Sequence, residues 1–161
     1  PLIIPNNISF KEFIGNNKFD GILLTGGNNL TSYNGDAEKR DLLEKELLKY
    51  AIKTKIPLIG VCRGMQVIQD FLNIKLTKIK NHVTDEMEIF YNKKKRIVNS
   101  FHEYGTKENN KNFKIIAYSY DKIIKGIKHN NLPILGMMWH PERNVSIDVL
   151  DVKVFEEIFT E

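Results

Sequence analysis

Apolar and polar positions alternate along this chain in two rhythms. Gly21–Thr25 (GILLT) and Pro57–Val61 (PLIGV) are short, nearly continuous apolar runs, stopped by Gly26-Gly27 and by Cys62-Arg63-Gly64. Such runs predict parallel strands buried on both faces. Leu132–Trp139 is a third apolar run and leads into His140-Pro141-Glu142. Glu86–Tyr91 and Arg96–Phe101 alternate with period two, predicting two strands joined by a basic turn, and Phe113–Ser119 predicts another. Leu2-Ile3-Ile4, between two prolines, reads as the end of a strand.

Helical spacing appears elsewhere. Over Asp36–Lys53, Leu43, Leu47, Tyr50 and Ala51 recur on one face, with Asp41, Lys45 and Lys49 expected to turn outward. Met65–Leu72 and Asp148–Phe159 keep a similar period, and Ser9–Ile14 predicts a brief helix with Ser9 as N-cap and Glu12 three residues on. Strands alternating with helices predict an α/β domain: a mainly parallel sheet flanked by helices, with a small antiparallel hairpin insert. Nothing repeats and no internal linker stands out, so residues 1–161 read as one domain.

Composition narrows the class. Apolar residues make up 42% of the chain, an ordinary globular value. A single cysteine excludes a disulfide within the chain and a Cys-rich zinc site, and it fits a reducing, cytoplasmic compartment. The four histidines are scattered, with no metal-ligand spacing, so neither metal nor cofactor is expected. No apolar run approaches the roughly 18 residues of a membrane helix. The net charge is +4, but acidic residues are interspersed throughout. The one basic cluster, Lys93–Arg96, reads as a solvated hairpin tip and lacks the interleaved aromatics of a nucleic-acid stacking surface.

The candidate chemistry centres on Cys62. An apolar strand delivers it to a sharp turn with Gly60 and Gly64 two positions away on either side, the pattern of a nucleophile elbow. The helix that follows points its N-terminus at the sulfur and is expected to lower the thiol pKa. The Arg63 amide is then one oxyanion donor, and the amides at Gly26-Gly27, above all Gly27, supply a second. A nucleophilic thiol needs a base and the base an orienter. His140 follows an apolar strand, and Glu142, two residues on, shares its face in extended geometry. A buried structural cysteine and a surface His-Pro turn are the plainer alternatives.

Each of these signals is modest alone; their order along the chain carries a resemblance. Gly60–Gln66 (GVCRGMQ), the upstream strand with Gly26-Gly27, and Trp139–Glu142 (WHPE) are similar to the motifs of class I glutamine amidotransferases, over nearly the whole chain. The resemblance implies a flavodoxin-like fold, a Cys62, His140, Glu142 triad, and attack on a γ-glutamyl carbonyl to form a glutamyl thioester that water hydrolyses. Arg63 after the nucleophile, Gly26-Gly27-Asn28 with Tyr33 and Arg40–Glu44 (RDLLE), and Val98–His102 (VNSFH) look closer to the free-standing γ-glutamyl hydrolases, such as those of γ-glutamyl-γ-aminobutyrate. By that match Gln66, Ser100, Phe101, His102 and Tyr104 hold the glutamyl group. Taken whole, the chain most resembles the bacterial branch acting on γ-glutamyl-CDP-amidate, which serves capsular phosphoramidate decoration. There the small-molecule substrate is nucleotide-linked, and lysines or Arg63 would meet the charge of the leaving group.

The alternatives are a γ-glutamyl-γ-aminobutyrate-type hydrolase and a glutaminase subunit feeding ammonia to a separate synthase. A homodimer and a transient synthase partner both stay open. The family usually opens with a further strand and helix, so residues ahead of Pro1 are expected. The segment between Leu76 and Met87 is short for the hydrolase branch.

Overall fold

The structure, a computed structural model, describes residues 1–160. In chain order the elements are α1 (Phe10–Asn16), β1 (Ile22–Leu24), α2 (Glu38–Thr54), β2 (Leu58–Val61), α3 (Arg63–Phe71), β3 (Thr77–Lys78), β4 (Val83–Tyr91), β5 (Lys94–Phe101), β6 (Tyr104–Gly105), β7 (Phe113–Ser119), β8 (Ile124–His129), β9 (Ile134–Met137) and α4 (Val149–Phe159). Seven strands form one mixed sheet in the order β1-β2-β9-β8-β7-β4-β5, and β3 pairs with β6 in a separate ribbon. The fold is α/β and flavodoxin-like.

The sheet has two halves. β1, β2 and β9 run parallel, with Leu24 beside Gly60 and Gly60 beside Gly136. β2 and β9 are buried at every position, as expected of strands covered on both faces. Leu58, Met65, Ile68 and Leu47 pack on one side with α2 and α3, while Ile59, Val61, Trp139, Val154 and Ile158 pack on the other with α4. Each such side chain contributes about 1.5–3 kcal/mol by leaving water. From β9 onward every pairing is antiparallel. The antiparallel part is thus four strands, larger than the expected hairpin, because Ile124–His129 (IKGIKH) is a strand that its two lysines disguise.

Local chemistry explains the junctions. Asn92 and Lys93 both have left-handed φ values, 47° and 67°, between the paired residues Tyr91 and Lys94. That is the two-residue turn whose twist suits a hairpin. Lys93, Lys94 and Lys95 are solvated, but Arg96 is not. Its guanidinium binds Asp151 at 2.7 Å and Asp148 at 3.1 Å and lies over Tyr91 and Trp139, tying β5 to the start of α4.

Other expectations need correction. Leu2–Ile4 joins no strand, and Leu2 and Ile3 are exposed. Ser9 occupies the N-cap of α1 without a side-chain capping bond. Asp41 does not turn outward: it is buried against Arg63.

Candidate active site

Cys62 sits where β2 gives way to α3, with φ 49° and ψ −100°. This left-handed backbone is costly for a residue with a Cβ and marks a tight elbow. The two glycines make it possible by close approach. A Cβ on Gly60 would lie 2.5 Å from the Gly64 backbone, and one on Gly64 would overlap the Leu24 carbonyl. The sulfur makes no capping bond to α3 and lies 3.9 Å from the Phe101 carbonyl oxygen. Only 3% of Cys62 is exposed. Burial pushes its thiol up to about 11, outweighing the Arg63 amide, Arg143 and Lys125, which pull it down. The expected net lowering by the helix end is therefore overturned: desolvation is the larger effect.

His140 follows β9 and starts a short 3₁₀ turn, Pro141–Arg143. Its Nδ1 is 2.6 Å from Glu142 Oε1, as the i, i+2 spacing anticipates. With Nδ1–H donating to that carboxylate, Nε2 keeps its lone pair. Nε2 is buried and has no hydrogen-bond partner among the described residues. The imidazole packs on Gly26, where a Cβ would meet Cε1 at 2.6 Å, and its ring centroid is 6.0 Å from that of Phe101. Phe101 therefore touches both sides of the site, by its carbonyl toward Cys62 and by its ring toward His140. Asn99, which the motifs did not single out, clamps the His140 backbone from both sides: Oδ1 accepts from the His140 amide and Nδ2 donates to its carbonyl, each at 2.8 Å. A side-chain amide two residues before the expected Phe101 was the available signal.

The five expected pocket residues divide. Phe101 and Tyr104 are partly exposed, and Tyr104 packs at a tilt against Tyr33 with centroids 5.2 Å apart. Ser100 and His102 are buried and spend their polar atoms inside the protein. Ser100 Oγ donates to the His82 carbonyl at 2.7 Å and accepts from Lys125 Nζ at 2.9 Å. His102 Nδ1 meets the Tyr104 carbonyl at 2.9 Å and Nε2 meets Lys125 Nζ at 2.7 Å. Gln66 Nε2 donates to the same Tyr104 carbonyl at 3.0 Å. These three residues are buried, and their polar atoms bond within the protein, at Lys125, the His82 carbonyl and the Tyr104 carbonyl. The lysine that joins Ser100 and His102 was missed because it belongs to the unrecognised strand β8. Lys125 is 1% exposed, and burial lowers its amine to about 7. Burial first, and Lys125 second, push His82 and His102 below the usual imidazole range.

Arg63 also departs from expectation. Its guanidinium is fully buried against Asp41 and Glu44 and cannot reach a leaving group. Arg143, which no motif marked, is exposed, lies 4.6 Å above the Phe101 ring, and borders two cavities. The larger, about 630 Å³, is lined by Gly26, Gly27, His140 and Glu142 together with the apolar Leu23, Ile147, Val152 and Phe155. The smaller, about 370 Å³, is lined by Asp85, Asn99, Phe101 and Asn144. Among the described residues no cluster of three or more His, Cys, Asp or Glu side chains is placed to hold a metal ion, and no helix is long and apolar enough to cross a membrane.

The chain has relatives among known proteins. The profile of the family described as glutamine amidotransferase class-I matches residues 2–155. A γ-glutamyl-CDP-amidate hydrolase from Campylobacter jejuni is 32% identical over 162 residues, covering 99% of this chain and 78% of that protein. A glutamine-hydrolysing GMP synthase subunit from Methanococcus aeolicus is 28% identical over 149 residues, covering 87% of this chain and 73% of that one. Among solved structures, a protein described as a GMP synthase subunit from Thermoplasma acidophilum superposes with a TM-score of 0.76 at 22% identity, covering 99% of this chain and 79% of that one. With its elbow cysteine, its His-x-Glu turn and the profile match over nearly its whole length, the chain belongs to the class I glutamine amidotransferase family.

Proposed function

We propose that the protein hydrolyses a γ-glutamyl amide through a glutamyl thioester on Cys62. The observation that carries this reading is the buried, unpartnered Nε2 of His140, whose other nitrogen is fixed by Glu142. A ring held in that tautomer has a lone pair ready for a thiol proton. Because burial holds the Cys62 thiol up to about 11, the resting sulfur keeps its proton until a base takes it.

His140 Nε2 accepts the Cys62 proton as the sulfur attacks the γ-carbonyl carbon. The carbonyl π electrons move to oxygen, and the Gly27 and Arg63 amides receive that oxyanion, each donor worth about 3–4 kcal/mol. Collapse breaks the C–N bond, and the departing nitrogen takes the proton from His140. Water then gives a proton to His140 and adds to the thioester. The second collapse breaks the C–S bond, the sulfur regains the proton, and glutamate leaves. Phe101 and Tyr104 wall the glutamyl end, with Gln66, Ser100 and His102 bracing that wall.

The substrate favoured is γ-glutamyl-CDP-amidate, giving glutamate and cytidine diphosphoramidate for capsular phosphoramidate synthesis in the cytoplasm. The support is the 32% identity to the Campylobacter jejuni hydrolase, together with Arg143 as an exposed cation beside the cavity that His140 lines. A guanidinium there suits a diphosphate. The GMP synthase relatives favour a second reading, a glutaminase subunit that passes ammonia to a separate synthase.

The test is glutamate release by the purified protein from glutamine, γ-glutamyl-γ-aminobutyrate and γ-glutamyl-CDP-amidate, with Cys62→Ala as blank. Fast release from the CDP-amidate alone supports the favoured substrate. Release from glutamine alone, stimulated by cell extract, supports the synthase-linked reading. Activity of Cys62→Ala near wild type sinks the cysteine mechanism.

A further inference from the structure

Both amides assigned to the oxyanion are fastened to one network of four charges. Arg63 Nη1 bonds Glu44 and its Nη2 bonds Asp41, whose second oxygen accepts from the Thr31 amide at 2.8 Å. Glu44 Oε1 accepts from Arg40 Nε at 2.7 Å. Arg40 Nη2 then reaches across to the loop after β1, donating to the Thr25 carbonyl at 3.0 Å, to Thr25 Oγ1 at 3.2 Å and to the Gly26 carbonyl at 3.1 Å. Two arginines and two carboxylates cancel in charge. Arg40 is the outer member, its side chain 18% exposed, whereas that of Arg63 is 0% exposed.

The contact at Gly26 fixes more than a carbonyl. In a trans peptide the C=O and the following N–H point to opposite sides, and no cis peptide occurs among the described residues. With the Gly26 carbonyl aimed at Arg40, the Gly27 N–H points away from it. Arg40 also fills the place of the side chain that Gly27 lacks: a Cβ there would lie 2.5 Å from Nη1. A Gly-Gly peptide has little intrinsic resistance to rotating about its flanking bonds, so its orientation must be imposed from outside.

We propose that Arg40 is a positioning residue that holds the Gly26–Gly27 peptide with the Gly27 amide toward the developing oxyanion and, through Glu44, keeps it in register with the Arg63 amide. This rests on the hydrolase reading above. It separates two events. Forming the Cys62 thiolate draws on His140 and on the Arg63 amide but not on the Gly27 amide, whereas acyl transfer requires both amides.

Arg40→Met and Arg40→Lys, with Cys62→Ala as blank, test it on glutamine and γ-glutamyl-p-nitroanilide. The readouts are kcat, KM, the pH profile of Cys62 alkylation by iodoacetamide, and thermal unfolding. Arg40→Met is expected to lose kcat by about 10²-fold, with KM and the alkylation profile within about twofold. Arg40→Lys, which keeps a donor near Gly26, recovers part of the loss. If kcat of folded Arg40→Met stays within about threefold of wild type, the assignment is overturned. It is equally overturned if kcat falls only together with a displaced alkylation profile, since that marks a general disturbance of the elbow. Wild-type protein no more active than the Cys62→Ala blank overturns the hydrolase reading itself, and the positioning role with it.

Discussion

Two buried polar networks flank Cys62, and they handle charge in opposite ways. On the α2 side, Arg40, Arg63, Asp41 and Glu44 form a neutral set in which each cation meets a carboxylate. On the β5–β8 side, Lys125 Nζ meets, among the described residues, only Ser100 Oγ and His102 Nε2, neither of which carries a negative charge. The carboxylate that acts on Lys125, Asp121, is spent on His82 and Ser119. Buried charge is tolerable when paired, and otherwise the group gives up its proton. The difference separates a fixed frame for the elbow backbone from a wall whose charge can change near neutral pH.

The largest effect should come from breaking the paired set. Glu44→Ala leaves two arginines with one carboxylate and is expected to cost about 3–5 kcal/mol in urea unfolding. A loss under about 1 kcal/mol would mean that the pairing matters little.

Lys125→Met probes the other side through pH. The folded amine releases its proton near 7, while the unfolded one keeps it up to about 10.5. In that interval the unfolded chain binds more protons, so stability rises with pH. Above 9 the raised Cys62 thiol opposes this, because the folded state then holds the extra proton. Wild-type thermal unfolding temperature should therefore climb between about pH 7 and 9, and the Met variant should show a flatter climb. An unchanged slope would remove Lys125 as its source.

Smaller changes lie at the hairpin tip, far from both networks. Lys93→Gly relieves a left-handed residue and should stabilise by about 0.5–1 kcal/mol. Lys95→Ala removes an exposed pair with Glu88 and should shift stability by about 0.5 kcal/mol or less. A larger loss from this pair than from Glu44 would invert the contrast between buried and exposed ion pairs.

Much of the parallel half was legible because its signals are local. Continuous apolar runs mark β2 and β9, glycines two residues either side of Cys62 mark the elbow, and the i, i+2 spacing brings Glu142 to His140. The antiparallel half was harder. β8 reads as IKGIKH, and nothing nearby reveals that Lys125 is buried while Lys128 pairs with Glu157 at the surface. Asp41 was misread for the same reason: its partner Arg63 is 22 residues away, and only the packing of α2 on α3 joins them. Ser100 and His102 were found by motif, but their inward turn depends on Lys125. Polar burial is set by partners distant in sequence, which periodicity cannot register.

The neutral set on α2 also limits how this sequence can drift. Replacing Asp41, Glu44 or Arg63 alone strands a buried charge, so each single step passes through a much less stable protein. A compensated exchange of partners, or a joint replacement by apolar residues of similar volume, avoids that intermediate. Of the four, Arg40 has the most exposed side chain, and its loss leaves the ion pairs of Arg63 in place. Its substitution would then be filtered by turnover rather than by folding, making it the position where a lineage could lose the activity while keeping the fold.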